Sequence, residues 1–389
     1  CIRDSNTTAS DNTAVGQGSL GSNTTGSSNT AIGRASLNAN TTASNNTALG
    51  KSALELNTTG AANVAVGVNA LDANTTANSN VAIGFAALTA NTTGASNVAL
   101  GREALGTNTT ASNNTGIGHN ALLSNTTGTQ QTAVGGLALD ANTTGNYNQA
   151  FGYGALTSNT TADYNSAFGY FALQNNTTGT RNTALGRSAL SANTTANNNT
   201  AVGEIALSAN TTGTANVAVG YTALDQCSQA NYNTAVGYAA LTKLTLATGV
   251  VGVGYEAGEN VSSGHNNTFV GYKAGFTTTT GENNICIGNQ ATVSSGTSHN
   301  EIVLGNTGNN NLRCNDTSIS SLSDSRDKTD VVDLSAGLTF VDSLRPVKFK
   351  WATRDGNVND GKTRAGFLAQ DLQTASKNDD YLNLVIDTN

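Results

Sequence analysis

The chain has 389 residues, with 43 Gly, one Pro, four Cys, one Trp and no Met, and only 11% of it is charged. So few charges and aromatics cannot surround a globular core with large side chains, yet an apolar share of 37% is too high for a solvated disordered tract. The formal net charge of −7 comes without a clustered Lys/Arg face, which gives no nucleic-acid partner.

No apolar run reaches about 18 residues, so no membrane span is expected. Without Met, residue 1 is not a translation start, and the expectation is a processed chain or a fragment. Cys1, Cys227, Cys286 and Cys314 are widely spaced, with no CxxC pair, and His119, His265 and His299 are equally scattered. Neither a metal site, nor a cofactor, nor a disulfide framework is expected. Cys1 admits two readings, a lipid-modified terminus or a fragment boundary.

From the start of the chain, "NTT" begins at Asn6, Asn23, Asn40 and onward to Asn210, always in steps of 17. The Gly of "AVG", "AIG" or "ALG" keeps the same step for longer, from Gly16 through Gly305, which makes 18 units. Around "LTKLTLATGVVGVG" the letters drift but the Gly register holds, so geometry is being kept rather than a binding motif. The unit reads N-T-T-[AG]-x-x-N-[TV]-A-[VIL]-G-x-x-A-L-x-x. Its two apolar runs are too short for helices and are bounded by Asn, Thr and Gly turn residues.

One unit is therefore expected to be one coil of a parallel β-solenoid, with two short strands and two turns. Stacking at about 4.8 Å per coil gives a rod on the order of 85 Å. Asn12, Asn29, Asn46 and Asn63 should form an amide ladder. The recurring Gly suits a positive φ or a close approach of two backbones.

Ala14 and Val15, Ala31 and Ile32, and Ala48 and Leu49 are strand neighbours, which point to opposite faces. The same reasoning applied to Ala53–Leu54 and Ala70–Leu71 makes both faces of the strands apolar in nearly every coil. A continuous exposed stripe is an aggregation surface, so each strand should bury one face within its coil and one against another copy of the chain. The position after the Gly holds Arg34, Lys51, Arg102, His119, Arg187 and Glu204, then Tyr153, Tyr170, Tyr221, Tyr238, Tyr255 and Tyr272. That mixture marks a solvent-facing column whose Tyr series is either a glycan-stacking stripe or, the preferred reading, a packing ladder. The "NTT" sequons invite an N-glycosylation reading, but a turn ladder of Asn and Thr accounts for their spacing.

Residues 6–305 resemble the head repeats of trimeric autotransporter adhesins, whose units carry a similar "[ST]xAxG" core, and related repeats of viral and phage tail fibres. The adhesin unit is usually shorter than this one. The resemblance implies a parallel, left-handed β-roll with three chains packed side by side.

After Gly305 the period stops, and residues 306–322 read as a linker. Nine of the 18 Lys and Arg, together with Pro346 and Trp351, follow Ser323. "VDLSAGLTFVDSLRPVKFKW" reads as a short amphipathic helix and then a strand beginning after Pro346. A separate small α+β domain is thus expected over 323–389. "SDSRDK" with Val331, then "LRPVKFKW", "RDG" and "GFLAQDL", are similar in order to the blocks of the endosialidase-type intramolecular chaperone, a self-cleaving peptidase family at the ends of tail fibres. The resemblance implies that the domain trimerises, templates the upstream fibre and is released by cleavage at or beside Ser323–Asp324. In that family the domain continues into long helices that clasp the trimer, so either a truncated or a degenerate copy is expected here.

The site residues are Ser323, Asp324 and Lys328. A Ser hydroxyl needs a base, and no His follows His299, so Lys328 is the available group once burial has made it neutral. Asp324, Asp327 and Asp330 would oppose that at close range and should turn away or pair with Arg326. The plainer alternative is a charged loop in which Ser323 and Asp324 cap the following helix.

The sequence thus reads as an all-β repeat solenoid, homotrimeric, followed by the chaperone domain. Its expected function is that of a structural and adhesive fibre subunit in a virion tail fibre or on another extracellular surface. Its partners would be itself and a host surface receptor or glycan. A cell-surface trimeric adhesin or extracellular filament subunit using the same chaperone is the runner-up. A polysaccharide-degrading tailspike ranks lower, because the repeats offer no convergent pair of carboxylates.

Overall fold

In the computed structural model, which describes residues 7–309, 344–350, 363–368 and 371, every coil contributes one strand of three residues. The strands run from β1 (Thr13–Val15) and β2 (Thr30–Ile32) to β18 (Ile302–Leu304). Each pairs in parallel with the strand one coil on, and Thr13 faces Thr30, Ala14 faces Ala31 and Val15 faces Ile32. The spacing of 17 persists to Ile285–Ile302. The chain divides into two compact units, Cys1–Asn311 and Leu312–Asn389. The first is the parallel β-solenoid, with coils of the expected length.

The recurring Gly meets both demands read from its column. Gly118 has φ +135, and a Cβ built on it would lie 2.5 Å from the carbonyl oxygen of Gly135, one coil on. Backbones stacked this closely leave no room for a side chain.

One expectation fails. The Ala–Leu run is not a second strand, because its backbone is left-handed at Leu37 (φ 49), Leu54 (φ 50) and every equivalent Leu through Leu241. Leu37 N–H donates to the Ala53 carbonyl of the next coil at 3.0 Å, and the chain turns there instead of extending. Neighbours in a turn need not alternate, so Ala53 and Leu54 are both wholly buried inside their own coil. This run gives no face to a partner. Only the strand is apolar on two sides.

The interior is layered by column. The middle strand residue (Ala31, Ala48, Ala65) and the turn Ala–Leu pair form the apolar core. Beside it run two Asn columns. Asn12, Asn29, Asn46 and Asn63 do form the expected ladder, but mainly from side chain to backbone: Asn46 N–H donates to Asn29 Oδ1 at 3.0 Å and Asn63 N–H to Asn46 Oδ1 at 2.9 Å. The amide-to-amide column belongs to the "NTT" Asn residues. Asn40 Nδ2 donates to Asn23 Oδ1 at 2.8 Å, and the pattern continues coil by coil until Asn210 Nδ2 meets Asn193 Oδ1 at 2.9 Å. Each such amide also reaches the carbonyl three residues on, as Asn91 does to Gly94 at 2.9 Å. Buried amides are tolerated because, from Asn40 to Asn193, both of their polar atoms are engaged.

Of the second unit, the described residues form an antiparallel pair, β19 (Pro346–Phe349) and β20 (Arg364–Phe367), with Pro346 opposite Phe367. The strand expected after Pro346 is thus present and begins at Pro346 itself. The helix expected over "VDLSAGLTF" lies outside the described residues.

Candidate functional site

The chemistry-bearing surface of the solenoid is the outward face of its strands. In each three-residue strand the middle side chain points in, and the two flanking ones point out. Ala48 is wholly buried, Thr47 is half-buried and Leu49 is 45% exposed. The last strand position is apolar in all 18 coils: Val15, Ile32, Leu49, Val66 and so on to Leu304. Several of these residues are well exposed, Val15 at 57%, Leu185 at 49% and Ile287 at 43%. The first strand position adds Thr, with Val at Val64, Val81, Val98, Val217 and Val251. Parallel pairing at constant register lines the last-position side chains into one uninterrupted apolar row. Phe151 and Phe168 are its aromatic members, stacked with ring centroids 4.7 Å apart.

The Tyr series is a packing ladder, as preferred above. Tyr221, Tyr238, Tyr255 and Tyr272 stack at 5.3, 5.1 and 5.3 Å. Each inner ring is covered on both faces by its neighbours, so the ladder shows solvent its edges and hydroxyls. A sugar needs a free ring face to stack on, and between these rungs there is none. Lys273 crowns the ladder, 5.7 Å from the Tyr272 ring centre and paired with Glu256 at 2.9 Å.

Other polar groups are committed to structure. His265 Nδ1 accepts the Thr248 N–H at 3.0 Å, and His299 Nδ1 accepts the Glu282 N–H at 3.2 Å. Burial pushes the thiols of Cys227 and Cys286 up to about 11, with Glu301 adding to the effect at Cys286. Neither is an activated nucleophile. Among the described residues no three His, Cys, Asp or Glu side chains come together as a metal site. There, too, no helix is long and apolar enough to cross a membrane. The "NTT" amides from Asn40 to Asn210 are wholly buried. Their nitrogens, where a glycan would be attached, are donors in the ladder.

Ser323, Asp324 and Lys328 lie outside the described residues. In the same unit, the described Arg345 Nε donates to Asp371 Oδ2 at 2.9 Å.

Taken together, the fold defines a repeat solenoid with an uncovered apolar flank, followed by a small separate unit. Residues 323–381 of that unit match the family model described as chaperone of endosialidase. Downstream of a β-solenoid of 17-residue coils, the chain therefore carries a region that matches the chaperone of endosialidase. No curated protein and no solved structure matches the chain.

Proposed function

We propose that the chain is a homotrimeric fibre subunit whose strand faces turn toward one another and whose C-terminal domain templates that assembly. The observation that carries the reading is the unbroken apolar row on the outward strand face, in a chain that also matches an intramolecular chaperone. Covering a half-exposed Val or Leu contributes about 1 kcal/mol, half of full burial. Nine of the 18 last-position side chains are more than a third exposed, and covering them contributes on the order of 10 kcal/mol per chain. That is comparable with the roughly 4–15 kcal/mol that association costs in lost freedom. A template is needed because coils of identical length pair out of register with little penalty, and parallel non-local pairing is slow. Attachment to a host surface, as part of a virion or another extracellular fibre, is the role such a rod would serve. Ser323, activated by a neutral Lys328 and next to Asp324, is the proposed nucleophile for a single self-cleavage that frees the fibre.

Light scattering on the uncleaved Ser323→Ala chain should give three times the mass of one chain, and a particle of 39.3 kDa would overturn the assembly reading. On a denaturing gel the wild type should run shorter than Ser323→Ala. Equal lengths would remove the cleavage role and leave the assembly untouched.

A further inference from the structure

The outward row is uniform except at one place. It is aliphatic at Val15, Ile32 and onward to Val134, becomes Phe151 and Phe168, and returns to aliphatic from Leu185 to Leu304. The two rings stack face to face, 4.7 Å apart and within 5° of parallel. Beside them the flanking column changes as well, to Gln149 and Ser166. These strands, β9 and β10, stand midway along the series of 18.

We propose that Phe151 and Phe168 are a register pin between copies of this chain, a role that rests on the strand-face assembly above. The partner is a second copy aligned rung for rung. An occupant of this flank must present apolar groups at the same rung spacing over the same length, and the chain itself does. Aliphatic rungs are interchangeable, so a copy displaced by one coil of 17 residues meets equivalent neighbours nearly everywhere. At the pin it does not, because a displaced copy sets Phe151 against Val134 and splits the aromatic cluster. A template at the C-terminal end fixes alignment where it touches. A coil looped out further along shifts every rung beyond it, and only a mark inside the shaft detects that. Between copies, the pin is that mark.

The test uses full-length chains with one added Cys on the row. Ile83→Cys and Leu100→Cys, one rung apart, are co-expressed and cross-linked with a short thiol reagent. Aligned copies give 83–83 and 100–100 products, and displaced copies give 83–100. With the pin intact the mixed product should be minor. With Phe151→Leu and Phe168→Leu, which only extend the aliphatic row, it should rise several-fold. The pair Val219→Cys and Val236→Cys, on the side nearer in sequence to residue 323, should not change. A gain-of-function arm guards against misfolding: a chain with Val134→Phe and Phe168→Leu carries its pin one rung early. Mixed with the unshifted chain, it should make the displaced product predominate. If the pinless chain keeps its alignment or fails to assemble, the pin is overturned and the strand-face assembly stands. If cross-links fail at all four positions with the pin intact, the assembly reading itself falls.

Discussion

The coils up to Asn210 and those from Cys227 onward share one backbone and fill the same internal column in opposite ways. In the first group the column is a chain of hydrogen-bonded amides. In the second it holds Cys227, Leu244, Val261 and Thr278, of which the first three are apolar. The amide column tolerates no gaps, since each Oδ1 waits for the Nδ2 one coil on. Its end is therefore marked by a defect: Asn210 Oδ1 is buried without a hydrogen-bond partner. The apolar column has no direction and accepts Cys, Leu or Val in turn. In the same coils the neighbouring apolar columns compensate for one another. Where Leu becomes Gly258 and Gly275, the middle strand residue becomes Phe269, and a Cβ on Gly258 would lie 2.7 Å from that ring. The lesson is that hydrogen-bonded repetition enforces sameness between coils, while apolar filling lets coils become individual.

The largest expected effect ignores the boundary between the two groups. Gly118→Ala places a methyl against the Gly135 carbonyl at a φ of +135 and should cost about 4 kcal/mol or more. Gly254→Ala, in the apolar group at the same φ, should cost as much by urea denaturation. If either is neutral, close stacking of the Gly column is not what fixes the coil.

Phe269→Ala should cost about 3–5 kcal/mol, as for other buried aromatics cut to Ala. Gly275→Leu alone should also destabilise, because its side chain would enter the volume of the Phe269 ring. The double variant restores the arrangement of the other coils and should be more stable than either single one. Simple addition of the two losses would refute the exchange of volume.

A third comparison is sharper, although smaller. Asn91→Leu interrupts the amide column between Asn74 and Asn108 and should cost about 2–3 kcal/mol in orphaned polar atoms. Asn210→Leu only moves the end of the column back by one coil, and should be close to neutral. Equal losses at the two sites would mean that the amides act singly.

The smallest effect sits at the boundary. Asp225 is raised above the ordinary carboxylate range by burial, so its ionised form is disfavoured in the fold. A raised carboxyl adds stability below its unfolded pKa, about 3.9, and loses it as pH rises through the folded value. Asp225→Asn should therefore raise the melting temperature slightly at pH 7, with the gain vanishing below about pH 3.9. A gain that persists in acid would have another origin.

Much of this was legible in the sequence, because coil length is written directly in the spacing of Asn and Gly. The two-faced strand could be read from "TAV" and its equivalents. The Ala–Leu run misled, since two adjacent apolar residues look the same in a strand and in a left-handed turn. Propensity disfavours Leu at positive φ, and the hydrogen bonds between neighbouring coils together with burial of the Leu side chain outweigh it. The "NTT" Asn residues were readable as a ladder but not as a buried amide column, because burial depends on which way the turn folds. Within the endosialidase-type domain, the strand after Pro346 could be read from the only Pro and the alternation that follows.

A solenoid whose every layer repeats at 17 residues has a length that changes in whole steps. Removing the stretch between two equivalent Gly residues rejoins a floor to a matching ceiling, with no seam in the strands. Gene slippage or recombination can therefore shorten or lengthen such a rod without inventing new folding instructions. Reach becomes a quantity that heredity adjusts by counting.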